Sequence, residues 1–402
     1  MNRTQHFFIK LLGYYLAGKG ALEAADTDWK DFCRLCRIHN VEGIAYAVLK
    51  KVNVPLPSNE SALLKKGYFA SICSSVLQER ALLDFSQRAD KESMPYMPFK
   101  GVVVRDVYPN PELRTMGDID ILVYPKDRSR CHAILMESGY VRFKKDSEWT
   151  YRNEKGVCIE IHDTLFYSTG SLKIDSRIFS DIWENTVSSG GLGCRRPKPE
   201  YHLIIMLFHM AKHMVDGFGV RMLLDVALWQ KRYGGDLDAC KMAELLNECG
   251  ILQFSRHIFA LCEDWFGVKA PVDIGRATEA DICAELGELI LENGAFGREH
   301  PLFLHYDREL AKKNLNSRTL KSTGGQTQFS RLRSVLFPPC SAMSKRYAYL
   351  KKRPFFLPAA WMQRGVGKFI HSPVKAFKIT LGVLTGCRAK RLEEKVHKFG
   401  LQ

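Results

Sequence analysis

Two carboxylates on one short apolar strand constrain this chain more than any other feature. Residues 117–123 read Gly-Asp-Ile-Asp-Ile-Leu-Val. The run from Ile119 to Val123 is β-branched and apolar, as expected of a buried strand. Side chains alternate along a strand, so Asp118 and Asp120, two residues apart, project from the same side. Like charges held side by side repel, and burying them fully is very costly. A cation between them removes the conflict. Hard oxygen ligands at this spacing suit Mg2+, which takes one or two carboxylates and completes its shell with water and substrate phosphate.

The surroundings of this strand predict a small α/β domain. Pro95 and Pro98 bracket an extended piece ending at Phe99-Lys100, and Val102 to Tyr108 reads as a short helix stopped by Pro109 and Pro111. After the acidic strand, Asp127 to Ser138 suits a helix ended by Gly139. Tyr140 to Lys144, Trp149 to Arg152 and Val157 to His162 follow as strands. Upstream, residues 5–90 carry helical periodicity. Downstream, Tyr201 to His213, Val220 to Tyr233 and stretches near 238–249, 251–266 and 278–293 are helical. The expected organisation is α+β: an N-terminal helical segment (1–91), an α/β core (92–170), a helical domain (171–294) and a C-terminal extension (295–402). Gly324-Gly325 and Pro338-Pro339 mark loops or a linker in that extension.

Composition narrows the setting. A chain of 402 residues suggests two or three domains, and 46% hydrophobic residues is ample for a core. The net charge of +15 is unevenly spread: residues 301–402 carry 21 Lys and Arg against 4 Asp and Glu, the first 300 residues 38 against 40. The basic excess therefore belongs to the C-terminal quarter and says nothing direct about the acidic strand. There, Phe355, Phe356, Leu357, Trp361 and Phe369 interleave with Lys351, Lys352, Arg353, Arg364 and Lys368. That mixture suits an anionic membrane surface or nucleic acid, or a solvated basic face packed on the helical domain. No signal-peptide pattern and no membrane-length apolar run is present, and 12 scattered cysteines favour reduced thiols, so a cytoplasmic location is expected. Cys33-x-x-Cys36, with no second pair, reads as two buried small side chains.

Several further residues can carry chemistry. Glu160 and His162 share one face of the strand Val157 to His162. A third carboxylate from a neighbouring strand would complete a site for two divalent metals, one activating the attacking oxygen and the other neutralising the leaving phosphate. His162 or Asp163 could serve in place of Glu160. Lys100-Gly101 lies where a strand meets a helix. There a glycine lets phosphate approach the backbone, and the helix start favours negative charge. Lys100 offers a point charge and Arg114 a bidentate one, although both could instead form plain salt bridges to the acids. His209 and His213 share a helix face, as do Arg221 and Asp225 on the next helix. His209 and His213 read as a metal or acceptor-phosphate site, or together with Arg221 and Asp225 as a buried polar cluster tying two helices together.

Lys100-Gly101, Tyr108-Pro109, Arg114, Gly117 to Val123 and Glu160-Ile161-His162 together resemble the uncharacterised bacterial nucleotidyltransferase family of the DNA-polymerase-β-like superfamily. Leu207-x-His209-x-x-x-His213 and Arg221-x-x-x-Asp225 resemble that family's helical part. The likeness spans roughly residues 30–270. It implies a small mixed β-sheet with helical partners on both sides. It also implies transfer of a nucleoside monophosphate from a nucleoside triphosphate (NTP), such as ATP, to an acceptor hydroxyl, with release of pyrophosphate. Asp118, Asp120 and Glu160 would bind two Mg2+ ions, with Mn2+ as a substitute, and Glu160 would help deprotonate the acceptor. Lys100, Gly101, Arg114 and Gly117 would hold the nucleotide. Well-studied superfamily members have Gly-Ser where this chain has Lys100-Gly101. The acceptor is a small molecule, a protein or RNA. Two other classes fit the same residues: an inactive nucleotidyltransferase-like domain that binds nucleotide or a partner, and a basic adaptor acting through its tail.

Overall fold

The computed structural model describes residues 1–24, 26–143, 149–165, 176–214, 217–295, 349, 354–361, 394 and 396–401. Residues 1–299 and 397–402 form one compact unit, and residues 300–396 form a second. The second unit is described only at a 3-10 turn, Pro354–Phe356, with the helical residues after it, and at residues 349, 394 and 396. Most of the basic tail and the expected linker at 324–339 therefore lie outside the described residues.

The chain opens with helices α1 (Arg3–Ala17), α2 (Trp29–Ile38), α3 (Glu42–Lys51) and α4 (Ser58–Lys91). Asn2 caps α1 in a reciprocal pair with Gln5, and Asp28 caps α2 through the backbone of Lys30 and Asp31. Cys33 and Cys36 of α2 are free, buried thiols, as the lone CxxC suggested. Burial first, then nearby glutamates, pushes the Cys33 thiol up to about 11, so it stays protonated and inert.

The acidic strand lies second in a five-stranded mixed sheet, between the edge strand and the central one. Its members are β1 (Tyr96–Phe99), β2 (Ile119–Val123), β3 (Val141–Phe143), β4 (Trp149–Arg152) and β5 (Cys158–His162), in the order β1-β2-β5-β4-β3. Only β2 and β5 run parallel; the other pairs are antiparallel. Between β1 and β2 lie a single helical turn, α5 (Gly101–Val104), and 3-10 turns at Arg105–Val107 and Pro111–Leu113. The sequence predicts a helix through Tyr108. It closes early because Pro109 drives Tyr108 into extended geometry, with ψ 140°. Helix α6 (Arg128–Glu137) links β2 to β3.

Alternation divides the work of β2. Ile119, Ile121 and Val123 join Ile159 and Ile161 of β5, Phe85 and Ala89 of α4, and Cys131, Ile134 and Leu135 of α6 in one buried core. Asp120 and Leu122 face the other way, as do Glu160 and His162 on β5. Helices α7 (Pro199–Lys212), α8 (Val220–Tyr233), α9 (Ala239–Glu248), α10 (Leu252–Phe266) and α11 (Ala280–Asn293) form the helical domain. The chain's last residues return to it: Phe399 and Leu401 are buried, and a Cβ on Gly400 would meet α10 at Gln253. A short hairpin, β6 (Thr186–Ser188) and β7 (Arg195–Pro197), abuts the free edge of β1, where Tyr96 N–H donates to Gly193 O. Periodicity cannot reveal it, because its strands have three residues each and a glycine-rich turn between them.

His39 joins the N-terminal helices to the helical domain. It stacks on Phe8, and its Nδ1 accepts the N–H of Val220, at the start of α8, over 3.2 Å. That bond requires an unprotonated Nδ1. His202 of α7 is fully buried against Trp229, and neither ring nitrogen has a hydrogen-bond partner. Burial lowers both imidazoles to about 3. An unfolded histidine titrates near 6.5, so the unfolded chain takes up these protons first. The stability contributed by the two neutral rings is thus complete above about pH 6.5 and lost progressively as pH falls toward about 3. Replacing His202 with Phe removes one such group without orphaning a partner. We expect H202F to shrink the loss of unfolding free energy between pH 7 and 5 by about 2 kcal/mol, read by urea denaturation; an unchanged pH slope would refute a buried neutral His202.

Candidate active site

Register on the sheet builds the acid cluster. Asp120 pairs with Glu160 across the parallel β2–β5 contact, and Leu122 with His162. Phe99 stands opposite Asp120 on β1, and Thr150 opposite Glu160 on β4. Two carboxylates therefore sit side by side on adjacent strands. His162 Nε2 lies 2.9 Å from Asp120 Oδ1 and 3.8 Å from Glu160 Oε2, and the ring packs edge-on to Phe99. Thr150 Oγ1 donates to Glu160 Oε1 over a long 3.4 Å. Donor atoms of Asp120, Glu160 and His162 all lie within 4.8 Å of one another, the one such metal-competent group among the described residues. Asp118, just ahead of the strand, lines the same cavity.

Lys100 supplies the cation that the acids need. Its Nζ donates to Asp120 Oδ1 at 2.6 Å. Burial alone would raise the Asp120 carboxyl, but Lys100 and His162 outweigh it and hold the group well below the usual carboxylate range. Burial likewise opposes the charge on Lys100, and Asp120, with Asp118 and Glu160, more than offsets that loss. At Asp118 the more distant charges of Lys100 and Arg221 do not outweigh the opposing causes. Burial, then the charges of Asp120 and Glu160, pushes it up to about 7. Three acids with one ammonium are under-neutralised, which is the electrostatic condition a divalent cation relieves.

Strain accompanies this arrangement. Lys100 has φ 54° and ψ −125°, a backbone conformation that suits glycine, at the sharp reversal from β1 into α5. The next residue explains itself differently from the sequence reading. A Cβ on Gly101 would lie 2.7 Å from Arg114 Nη1 and 2.9 Å from Met116 Sδ. Gly101 is bare because an arginine and a methionine pack on it. Gly117, by contrast, is exposed, and a Cβ there would meet nothing within 4 Å.

Arg114 is not joined to the strand acids. Its Nε and Nη2 donate to the two oxygens of Asp225 on α8, at 2.9 and 2.8 Å, in a buried bidentate pair. Tyr108 Oη donates to Asp225 Oδ1 at 2.5 Å, and Arg221 Nη1 to Oδ2 at 3.2 Å. The pair Arg221 and Asp225 thus ties the helical domain to the loop between β1 and β2. That loop is steadied from the other side by α4: Ser71 donates to Glu112 O, Gln78 to Met116 O, and Arg105 reaches Ser75 and Glu79.

Together these residues enclose a cavity of about 410 Å3. The acids, Lys100 and Thr150 form one side. Met206, His209 and Met210 of α7 and Arg221 and Met222 of α8 form the other, with Met116 between them. Arg152 and Cys158 complete the β4–β5 lip. His209 faces this cavity, with His213 beside it at a ring separation of 4.5 Å. Burial, then Lys100, holds His209 well below the usual histidine range, so it is a neutral ring. The methionine wall and the β4–β5 lip escape sequence reading: methionines far apart in the chain read only as core.

An α+β chain with paired carboxylates on a mixed sheet, facing a helical wall, defines a class of acid-lined cavity. The sequence profile of a family described as uncharacterised nucleotidyltransferases matches residues 25–267, and the chain belongs to that family. Comparison with curated proteins and with solved structures finds no match.

Two substitutions test the packing argument. Gly101→Ala should destabilise the fold by about 1–3 kcal/mol, because Arg114 must shift off the backbone, whereas Gly117→Ala should change stability by less than about 0.5 kcal/mol. Equal effects in urea denaturation would contradict it. Lys100→Gly should be more stable than Lys100→Ala by about 1 kcal/mol, since both lose the ammonium and only glycine relieves the positive φ.

Proposed function

We propose that the protein is a Mg2+-dependent nucleotidyltransferase that moves a nucleoside monophosphate from an NTP to an acceptor hydroxyl and releases pyrophosphate. The observation that carries this reading is the in-register pairing of Asp120 with Glu160 beside Asp118, in a cavity that also holds Lys100. The donor set fits the metal: hard carboxylate oxygens from two strands, under-neutralised by one ammonium. Bound Mg2+, or Mn2+ in its place, neutralises phosphate charge and activates the acceptor oxygen.

The protein's own groups do the rest by positioning and proton transfer. Asp118, Asp120 and Glu160 would hold the metals, and Asp120 is oriented by Lys100 and His162. Glu160, steadied by Thr150, takes the proton of the acceptor hydroxyl. Lys100, which lines the cavity beside Asp120, would offer its charge to a phosphate there. Gly117 leaves the cavity rim open for the nucleotide. Gly101 serves indirectly, by letting Arg114 lie against the backbone and hold the helical wall. The acceptor is a small molecule, a protein or RNA, and the basic residues 301–402 suit an anionic acceptor or a membrane surface that concentrates the enzyme.

Pyrophosphate release from ATP and the other nucleoside triphosphates should require Mg2+ or Mn2+ and stop with chelator. Asp118→Asn combined with Asp120→Asn should lower it by on the order of 1,000-fold or more while the fold survives, and Glu160→Gln by a comparable amount. Metal-dependent turnover that persists in the double variant would overturn the reading. Nucleotide binding with no turnover by the wild type would favour an inactive nucleotide-binding domain.

A further inference from the structure

We propose that Arg221, backed by Arg114, forms a phosphate-group subsite on the helical wall of the cavity, facing the acids. It would take either the terminal phosphates of the NTP or a phosphate carried by the acceptor. The inference rests on the nucleotidyl-transfer reading of the same cavity and assigns a role to the wall opposite the acids, where of the three only Asp118 acts on Arg221.

The argument is one of charge and donor count. Two guanidiniums meet at a single carboxylate, Asp225. Arg114 takes both of its oxygens in the short bidentate geometry, and Tyr108 adds a third donor at 2.5 Å. Arg221 is left with one long contact of 3.2 Å. Its Nε–H is buried and has no hydrogen-bond partner, although its side chain lines the cavity. A guanidinium carries five donors in a planar fork, and leaving them unmade in a buried site is costly. Asp225, already accepting from three side chains, cannot satisfy them. Burial and the neighbouring Arg114 both oppose the charge on Arg221, which Asp225, Tyr108 and Asp118 together only partly compensate. An anion from the cavity would supply both the missing charge and the missing acceptors. Phosphate oxygens match the fork, and the opposite wall provides what a phosphate chain held by metal would need at its other end.

The remaining neighbours agree. Met116, Met206, Met210 and Met222 offer no acceptor beyond a weak thioether, and His209 is a neutral ring. Among these cavity-wall groups on the helical side, Arg221 is the one whose excess donors call for an anion.

The test uses the full chain and three readouts. Isothermal titration with magnesium pyrophosphate measures the anion, Mn2+ binding by electron paramagnetic resonance measures the metal site, and thermal melting reports folding. Arg221→Gln should weaken magnesium pyrophosphate about 10- to 100-fold while Mn2+ affinity stays within about twofold. In the wild type, the Arg221 Nε–H resonance should shift downfield on adding magnesium pyrophosphate, a readout that needs no variant to fold. Unchanged anion affinity in a folded R221Q, or an Nε–H that does not move when the anion binds, overturns the subsite. Loss of Mn2+ binding and of pyrophosphate release from the wild type would instead strike the nucleotidyl-transfer reading. Competition between NTP and pyrophosphate identifies the nucleotide's terminal phosphates as the occupant. Simultaneous binding of both identifies an acceptor phosphate, and either result upholds the subsite.

Discussion

Placing Asp120 beside Glu160 on adjacent parallel strands is the constraint from which the rest of the architecture follows. The two carboxylates share the face of the sheet opposite the Ile119–Ile121–Val123 core, so they cannot turn away without breaking β2. A protein that keeps such a pair must bring cations to it. Lys100 is delivered from the end of β1, the strand directly alongside, and His162 from two residues beyond Glu160. Both come from the sheet itself, so the neutralising groups are fixed by the same register that creates the repulsion.

The second half of the cavity is held by another buried carboxylate. Asp225 gathers Tyr108, Arg114 and Arg221, and two of these belong to the loop that runs from Lys100 to Asp118. Breaking a buried pair of this kind by removing one partner costs about 3–5 kcal/mol, because the other charge is left without compensation. The loop is therefore pinned between α4 on one side and α8 on the other. Its geometry sets where Asp118 begins the acidic strand, which couples the helical domain to the position of the acids. Gly101 belongs to this coupling, since the guanidinium of Arg114 rests where its side chain would be.

How much of this was legible depended on sequence distance. Asp118, Asp120 and Glu160 announce themselves through local alternation, and a single parallel pairing suffices to set Asp120 beside Glu160. The helices of the two flanking regions follow from apolar periodicity alone. The ion-pair partner of Arg114 could not be read, because it lies 111 residues away and nothing local separates Asp225 from the nearer acids. Gly101 was open to a phosphate-approach reading for the same reason: the atoms that crowd it come from Arg114 and Met116, whose backs are turned in any one-dimensional view. The β6–β7 hairpin is too short to show a period. The methionine wall has no local pattern at all, being drawn from a loop and two helices.

Lys100 shows how the site ranks competing free energies. Its backbone conformation would suit glycine, and a strained non-glycine residue there costs on the order of 1–3 kcal/mol. Without the ammonium, Asp120 would be a buried carboxylate with only a histidine beside it, a deficit of about 3–5 kcal/mol on the scale of broken buried pairs. The charge outweighs the strain, so a lysine is tolerable at a turn where shape alone favours glycine. The same turn explains its aim. A side chain leaving the backbone at positive φ, immediately after β1, points across the neighbouring strand rather than along its own, and Asp120 stands in register with Phe99 to receive it. Strain and ion pair are one feature: the conformation that is unfavourable for the backbone is the one that carries the ammonium onto the acid.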